Sequence, residues 1–423
     1  MIRKLMLSAV SAACFGLAAQ AQNLAITNAK VWTGTDAGTL ESATVIVLDG
    51  KVSGVGVNLA PPSNMRTVNA DGKWVTPGFI APYSRVGIVE VGAEDATNDI
   101  SAGASSFNIS LRASDGFNPA ATNIPVTRIE GITRLAIAPG NGNSLFAGQG
   151  FIADTSGDAD SITQDRAFVY IDLAEYGASL AGGSRPATWA TLRGAFADAR
   201  GYPSRYIAHS MGESLNSTDA QAFVRAVRGQ QLILVDAHRA SDLRKIIGLK
   251  ADNPELNIAI VGAAEGWLVA DELAAADIPV IIDPFANLPA SFEQLGATAQ
   301  NAQRLIAAGV TTAFAHMGDN SHQSRLVPQS AGNAVANGVD FDDAMAAITT
   351  APAEIFGLDG FGTIQPGSAG DLVMWDGDPL EVMSAPELIL IDGEVQSMES
   401  RQTKLRDRYL DLDESERPTA FRR

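Results

Sequence analysis

Two adjoining segments near the C-terminus decide the fold, AITTAPAEIFG at positions 347–357 and GTIQPGSAGDLV at positions 362–373. Up to Gly357, strand-like and helix-like stretches alternate along the chain. Beyond it come short β-rich pieces separated by turns, among them DLVMW at 371–375 and LILIDG at 388–393. The junction at 357 therefore separates an α/β block from a β-rich end.

The same β-rich rhythm occupies the start of the chain. Strand-like segments at 25–32, 43–48 and 51–55 are separated by Asp49-Gly50, Asp71-Gly72 marks a later turn, and Pro77-Gly78 ends the region. Two β-rich ends that flank one central block predict a single small β-sandwich domain built from both termini. Its two parts are expected at 22–77 and 358–398.

The central block, residues 78–357, repeats a strand followed by a helix. Strand-like runs lie at 131–138, 167–173, 231–237, 256–262, 278–283 and 310–316, with helix-length segments at 189–200, 218–228, 241–249, 268–276 and 292–308. This order predicts an α/β fold with a largely parallel sheet, and a (β/α)8 TIM-like barrel suits the length better than an open sheet. Residues 87–123 are expected to form a long loop over the barrel mouth, and 399–423 a charged helical tail.

Composition excludes several classes of protein. The chain has 423 residues, of which 46% are hydrophobic, so it can bury a sizeable core and is not disordered. Its net charge is −18, with 30 Lys and Arg against 48 Asp and Glu. An acidic chain is a poor partner for nucleic acid, because binding there depends on cations that neutralise phosphates.

The N-terminus has the pattern of a secretory signal peptide. Arg3 and Lys4 precede the apolar run 5–17, and Ala19-Gln20-Ala21 provides small residues for cleavage after Ala21. This predicts a periplasmic protein without a membrane span. Cys14, the one cysteine, is then removed, so the mature chain has no thiol nucleophile. The alternative that Cys14 is a lipoprotein anchor is weakened by Ser11, where such sites favour Leu.

Four motifs resemble the amidohydrolase superfamily, closest to its imidazolonepropionase-like and dipeptidase-like branch. They are VTPGFI at 75–80, GITR at 131–134, AAGVTTAF at 307–314 and the closing block 347–373 quoted above. The resemblance implies a barrel hydrolase of carbon–nitrogen bonds, acting on an amide, a lactam or a small peptide. It also implies a divalent metal such as zinc and a composite β domain.

The positions that hold the metal in such enzymes are altered here. The resemblance places a His-x-His motif at the end of the first barrel strand, where both side chains face the mouth, but this chain has Tyr83 and Arg85. A guanidinium has donors only and stays protonated, so it repels a cation. The bridging lysine of some relatives is also missing, since no lysine lies between Lys73 and Lys245. No metal ligand and no cofactor are therefore expected.

Other candidate site residues follow from the same resemblance. The family's His-Ala-His on strand five appears as Asp236-Ala237-His238, and Met317 takes the slot of the general-base aspartate on strand eight. Tyr83, Arg85, Asp236 and His238 are predicted at the barrel mouth, and Asp319 and His316 are the candidate catalytic residues. Asp236 is expected to balance Arg85, either as part of a working site or as an ion pair that plugs an abandoned one. No Gly-x-Ser-x-Gly elbow with a partner histidine supports a serine hydrolase.

Two functional hypotheses remain open at this point. The chain is either a hydrolase with a reduced site and weak or no metal-dependent catalysis, or a non-catalytic protein that binds a ligand or partners an active paralogue. A homo- or hetero-oligomer is expected from the resemblance.

Overall fold

The computed structural model describes residues 23–207, 212–410 and 419–421. Within them, both ends of the chain contribute to one small sheet, in the order β16-β15-β14-β5-β1-β2-β3 with β4 beside β1. Its strands are β1 (Leu24–Trp32), β2 (Thr39–Leu48), β3 (Lys51–Val57), β4 (Arg66–Asn69), β5 (Trp74–Pro77), β14 (Leu372–Trp375), β15 (Pro386–Ile391) and β16 (Glu394–Val395). The two ends meet where β5 pairs antiparallel with β14.

A second sheet of eight strands forms the barrel wall, and each strand neighbours the next along the chain. The strands are β6 (Phe79–Ser84), β7 (Ile132–Ile137), β8 (Phe146–Asp154), β9 (Ile162–Asp172), β10 (Leu232–Ala237), β11 (Ile258–Gly262), β12 (Val280–Ile282) and β13 (Thr312–Phe314). The predicted α/β barrel is confirmed.

One strand differs from the predicted parallel order. β8 runs antiparallel to both β7 and β9, and no strand was expected over its residues. The connections on either side, 138–145 and 155–161, are too short for the crossover of a dozen or more residues that parallel strands need. The chain therefore turns back on itself twice before the β-then-α order resumes.

The barrel closes through a short segment rather than through a direct ladder between its first and last strands. The Phe314 amide of β13 donates to the Ala347 carbonyl, and the Ile80 amide of β6 donates to the Ile348 carbonyl, both at 2.9 Å. Residues 347–348 belong to the first quoted motif, so this motif seals the wall of the barrel.

Helices and turns cover the outside of the barrel. The helices are α1 (Asn123–Arg128), α2 (Glu175–Leu180), α3 (Arg185–Arg200), α4 (Ser204–Ile207), α5 (Ser217–Val227), α6 (Ala240–Asp252), α7 (Ala270–Ala275), α8 (Asn301–Ala307), α9 (Val327–Ala336), α10 (Phe341–Ala346), α11 (Thr350–Phe356) and α12 (Arg401–Leu410). The single helix expected at 292–308 is reduced to a 3-10 turn at Phe292–Gln294 followed by α8. α12, in the expected charged tail, has no buried residue.

Side chains alternate between two cores along each barrel strand. On β9, Phe168 and Tyr170 belong to the cluster that fills the barrel, while Val169 and Ile171 pack in the layer beneath the helices. This alternation decides which residues near the strand ends can reach the mouth.

No helix in the described part of the chain is long and apolar enough to cross a membrane. The predicted signal segment, residues 1–21, and His209 lie outside the described residues.

Candidate functional site at the barrel mouth

A cavity of about 530 Å³ opens at the carboxyl ends of the barrel strands. Its wall comes from the ends of β6, β10 and β11, from the segment after β13, and from residues 89–100 of the long loop. Five of the predicted site residues line it, namely Tyr83, Arg85, Asp236, His238 and Asp319. Active sites of such barrels lie at this end, because the loops that follow the strands converge there.

A chain of hydrogen bonds links the first strand to the fifth. The Arg85 Nη2 lies 3.5 Å from the Tyr83 hydroxyl, which donates to the Tyr170 hydroxyl at 3.1 Å. Tyr170 in turn donates to the Asp236 Oδ2 at 2.9 Å. Burial raises the pKa of both tyrosines, so they remain neutral donors. Tyr170 is a site residue that sequence reasoning missed.

Arg85 and Asp236 are therefore joined through two tyrosines instead of by a direct contact. Among the described residues no carboxylate forms a salt bridge with Arg85, and its Nε is buried without a hydrogen-bond acceptor. The negative charge of Asp236 is directed to Tyr170 and His238. The expected direct pairing of the two charges is not formed, and the guanidinium is linked to Asp236 through the two tyrosine hydroxyls.

Asp236 and His238 form the second polar pair of the site. Asp236 Oδ1 lies 3.3 Å from His238 Nε2, and the Gln294 side-chain nitrogen lies 3.3 Å from His238 Nδ1. Burial lowers the pKa of His238, but the contact with Asp236 outweighs this and raises it. Gly262 leaves room for the ring, since a Cβ there would lie 2.5 Å from the His238 Cε1.

Two further buried carboxyls stand behind this pair. Asp172 ends β9 in register with Asp236, and burial together with the Asp236 charge raises the pKa of Asp172 to about 7. Glu293 accepts a hydrogen bond from the Glu175 amide at 2.8 Å and is paired with Arg185 at 3.3 Å. Glu293 was not predicted, because the sequence indicated one continuous helix over 292–308, whereas Glu293 lies in the 3-10 turn Phe292–Gln294.

The segment after β13 separates the two residues that were named as candidate catalytic groups. Ala313 and Ala315 face the barrel interior and Met317 lines the cavity, so the alternation directs His316 outward. The His316 ring packs edge-on against Phe285 at 5.8 Å, and its Nδ1 is buried without a partner. His316 is therefore not brought together with the residues of the mouth.

Asp319 does line the cavity, within a small cluster of its own. Its Oδ1 accepts a hydrogen bond from the Ser321 hydroxyl at 2.6 Å, and the same hydroxyl lies 2.9 Å from the His322 Nδ1. Burial raises the pKa of Asp319, but the Ser321 hydrogen bonds and the nearby His322 outweigh it and lower the pKa. Ser321 and His322 were not among the site residues predicted from the sequence.

The donors at the mouth do not suit a divalent cation. Tyr83 and Arg85 occupy the positions where a His-x-His motif would provide two neutral nitrogens, and the guanidinium carries the same charge as the ion. In the part of the chain that the structure describes, no group of three or more His, Cys, Asp or Glu side chains could hold a metal.

Comparison with known proteins identifies the family. A profile of the amidohydrolase family matches residues 98–400. The curated protein Amidohydrolase tasK of Hapsidospora irregularis is 24% identical over 368 residues, 79% of this chain, and the match spans 37% of that protein's length.

Solved structures agree with this match. An amidohydrolase from Thermotoga maritima MSB8 has 26% identity and a TM-score of 0.78, with 88% of this chain and 99% of that chain covered. A prolidase crystallised with N-methylphosphonate-L-proline has 15% identity and a TM-score of 0.56. The match covers 89% of this chain and 100% of that chain, so the two proteins share the fold. Since the profile spans most of the sequence, this chain belongs to the amidohydrolase family.

Proposed function

We propose that this chain is a hydrolase-like member of the amidohydrolase family that holds a small amide-containing ligand in the barrel mouth without a catalytic divalent metal. The observation that carries the proposal is the residue pair at the end of β6. Arg85 brings a fixed positive charge to the place where relatives bind a cation, and a site cannot accommodate both.

The chemistry of the mouth favours a ligand that bears an acidic group. The Arg85 guanidinium has several donors in a planar fork, which suits a carboxylate, and its Nε has no acceptor among the described residues. Asp236 and His238 lie on the other wall and can donate and accept protons toward an amide. An amide that carries a carboxylate satisfies both walls of the cavity.

Metal binding by the purified full-length protein tests the proposal. The protein is first freed of metal with a chelator and then incubated with Zn²⁺ or Mn²⁺, and bound metal is measured by elemental analysis. We expect much less than one equivalent, because the guanidinium repels the ion. A matched variant, Tyr83→His with Arg85→His, restores two imidazoles at the same positions, and we expect it to retain more metal than the wild type.

The same experiment can contradict the proposal. One tightly held equivalent of metal in the wild type, together with a hydrolase activity that the chelator abolishes and Zn²⁺ restores, would return the chain to the metal-dependent hydrolases. An Arg85→Gln variant that binds metal no better than the wild type would show that the guanidinium is not what excludes it.

A second candidate function is that of a non-catalytic partner of an active amidohydrolase paralogue. Loops beside the mouth expose large apolar side chains, with Leu288 at 77% and Phe292 at 83% of full exposure. Co-expression with such a paralogue followed by size-exclusion chromatography tests this. Co-elution that a Leu288→Ser/Phe292→Ser variant abolishes supports it, and separate elution of the two proteins contradicts it.

We also propose that the protein is exported to the periplasm, because residues 3–21 have the charge, apolar run and cleavage site of a signal peptide. Cell fractionation and N-terminal sequencing of the mature protein are expected to give a first residue of Gln22. A protein that stays in the cytoplasm with an intact N-terminus contradicts this.

A further inference from the structure

Three groups from two distant parts of the chain form a hydrogen-bonded series at the mouth. The Ser321 Oγ lies 2.9 Å from the His322 Nδ1, and the His322 Nε2 lies 3.1 Å from the Glu90 carbonyl oxygen. Ser321 lines the same cavity as Arg85. A hydroxyl, an imidazole and a group that orients the imidazole are the three parts of an activated serine nucleophile.

The Glu90 carbonyl fixes the tautomer of the neutral imidazole. A carbonyl oxygen only accepts hydrogen bonds, so the proton of neutral His322 lies on Nε2. The lone pair of Nδ1 then faces the Ser321 Oγ, at a distance suited to removing its proton. Glu90 thereby acts as a positioning residue through its main chain, and the long loop that carries it completes the arrangement.

Asp319 competes for the same hydroxyl proton. Its Oδ1 lies 2.6 Å from Oγ, and one hydroxyl proton can serve only one of the two acceptors at a time. Rotation of the hydroxyl toward Nδ1 gives the arrangement that is ready for attack. An amide at position 319 keeps an oxygen that can accept from Oγ, but this oxygen is uncharged and competes less strongly for the hydroxyl proton than a carboxylate does.

The surroundings provide the remaining requirement, a positive field for the oxygen of the substrate carbonyl. Arg85 lines the cavity without a salt bridge from the described residues. Gly318, Asp319 and Asn320 line the same cavity beside Ser321. The guanidinium stabilises the anion that forms when a carbonyl is attacked.

We propose that Ser321 is the nucleophile of an acyl-transfer reaction on an amide or ester, with His322 as its general base. The Ser321 Oγ bonds to the carbonyl carbon while its proton passes to the His322 Nδ1. As the carbon–nitrogen bond breaks, that proton passes to the leaving amine, and water then releases the acyl group by the same steps in reverse. The reaction needs no oxidant, reductant or metal, and in this respect it rests on the proposed metal-independent function.

Covalent labelling with a fluorophosphonate tests the proposal without knowledge of the substrate. Attack by Ser321 forms a P–O bond, fluoride leaves, and the hydroxyl proton passes to His322. We expect one label per molecule in the intact mass, located at Ser321 by peptide mapping. Ser321→Ala should abolish it, whereas Ser101→Ala, at an exposed serine of the long loop, should label like the wild type.

Two more variants test the role of the base. His322→Gln should slow labelling about 100-fold, the lower range for a general base, and Asp319→Asn should make labelling faster, because an uncharged oxygen competes less for the hydroxyl proton. No label, a label at another residue, or equal rates for wild type and His322→Gln would overturn the proposal. The metal measurement is separate from the labelling. A protein that binds metal and is labelled at Ser321 refutes the metal-free function alone. A protein that is free of metal and is not labelled refutes this inference alone.

Discussion

Positions 83 and 85 could be found from the sequence because the resemblance places a His-x-His motif at the end of the first barrel strand. Residues two apart share a face, so both had to reach the same region as Asp236 and His238. Tyr170 could not be found in this way, since a tyrosine in a strand is ordinary and only barrel closure brings its hydroxyl between Tyr83 and Asp236. Hydrogen bonds between distant strands thus remain hidden in a single sequence.

The buried carboxyl of Asp172 gives a prediction on pH dependence. Its pKa of about 7 in the folded protein exceeds the ordinary value of 3.8, so the folded state binds a proton that the unfolded chain releases. This group therefore makes the free energy of unfolding fall as the pH rises from about 4 to about 7. The Asp172→Asn variant lacks this pH dependence. We therefore expect its free energy of unfolding, relative to that of the wild type, to increase from pH 5 to pH 8.

Urea denaturation at several pH values measures this difference. Asp271→Asn, at an exposed position in the first turn of α7, serves as the control and should run parallel to the wild type. A difference between Asp172→Asn and wild type that stays constant over this range would contradict the prediction.

At the scale of elements, the strands with dense apolar residues were predicted within a few positions, and β8 was missed. Its sequence, FAGQGFIAD, contains Gly148 and Gly150, which weaken the strand pattern, although all nine residues are buried. Gly150 is required by packing, because a Cβ there would lie 2.1 Å from the Phe168 Cζ. A local pattern cannot show such a requirement, which belongs to the neighbouring strand.

The long loop at the mouth is held by one buried side chain of a helix. Asp219, near the start of α5, accepts hydrogen bonds from the Asn108 amide and from the amide and hydroxyl of Ser110. We expect Asp219→Ala to lower the free energy of unfolding by about 2 to 4 kcal/mol, because these donors lose a charged acceptor. Hydrogen exchange should accelerate at residues 105–112.

The control for this variant is Asp271→Ala, an exposed first-turn aspartate without such contacts, which should cost less than about 1 kcal/mol. Exchange at 105–112 that does not change in Asp219→Ala would mean that the loop is held by other contacts.

At the scale of the whole molecule, two motifs that suggested the family meet each other. Arg134, from GITR on β7, is buried and binds Asp371, from the closing block, with Nε–Oδ2 at 2.7 Å. It also pairs with Asp392 at 2.7 Å. Burial lowers the pKa of Arg134, but both carboxylates outweigh this and raise it. The motifs from which the fold was inferred thus join the barrel to the small sheet, and they give no information about the barrel mouth.

Breaking this junction should destabilise the protein as a whole. Asp371→Asn leaves the buried Arg134 guanidinium with less negative charge beside it. We therefore expect a loss of about 3 to 5 kcal/mol in the free energy of unfolding. The matched control is Glu387→Gln, which removes a half-exposed salt bridge between Glu387 and Lys73. It should lower the free energy of unfolding by less than about 1 kcal/mol. If thermal or urea unfolding shows that Asp371→Asn and Glu387→Gln lose the same stability, the role given to Arg134 is contradicted.

The pairing of β5 with β14 also constrains the order in which a newly made chain can fold. On a ribosome, residues 74–77 emerge long before residues 372–375, and the entire barrel is synthesised between them. Until the last strands arrive, the edge of β5 that faces β14 has no partner, so the small sheet is incomplete while the barrel is being synthesised. A chain whose barrel is made first therefore carries an open strand edge until those strands dock, and an open edge can pair with a strand of another chain.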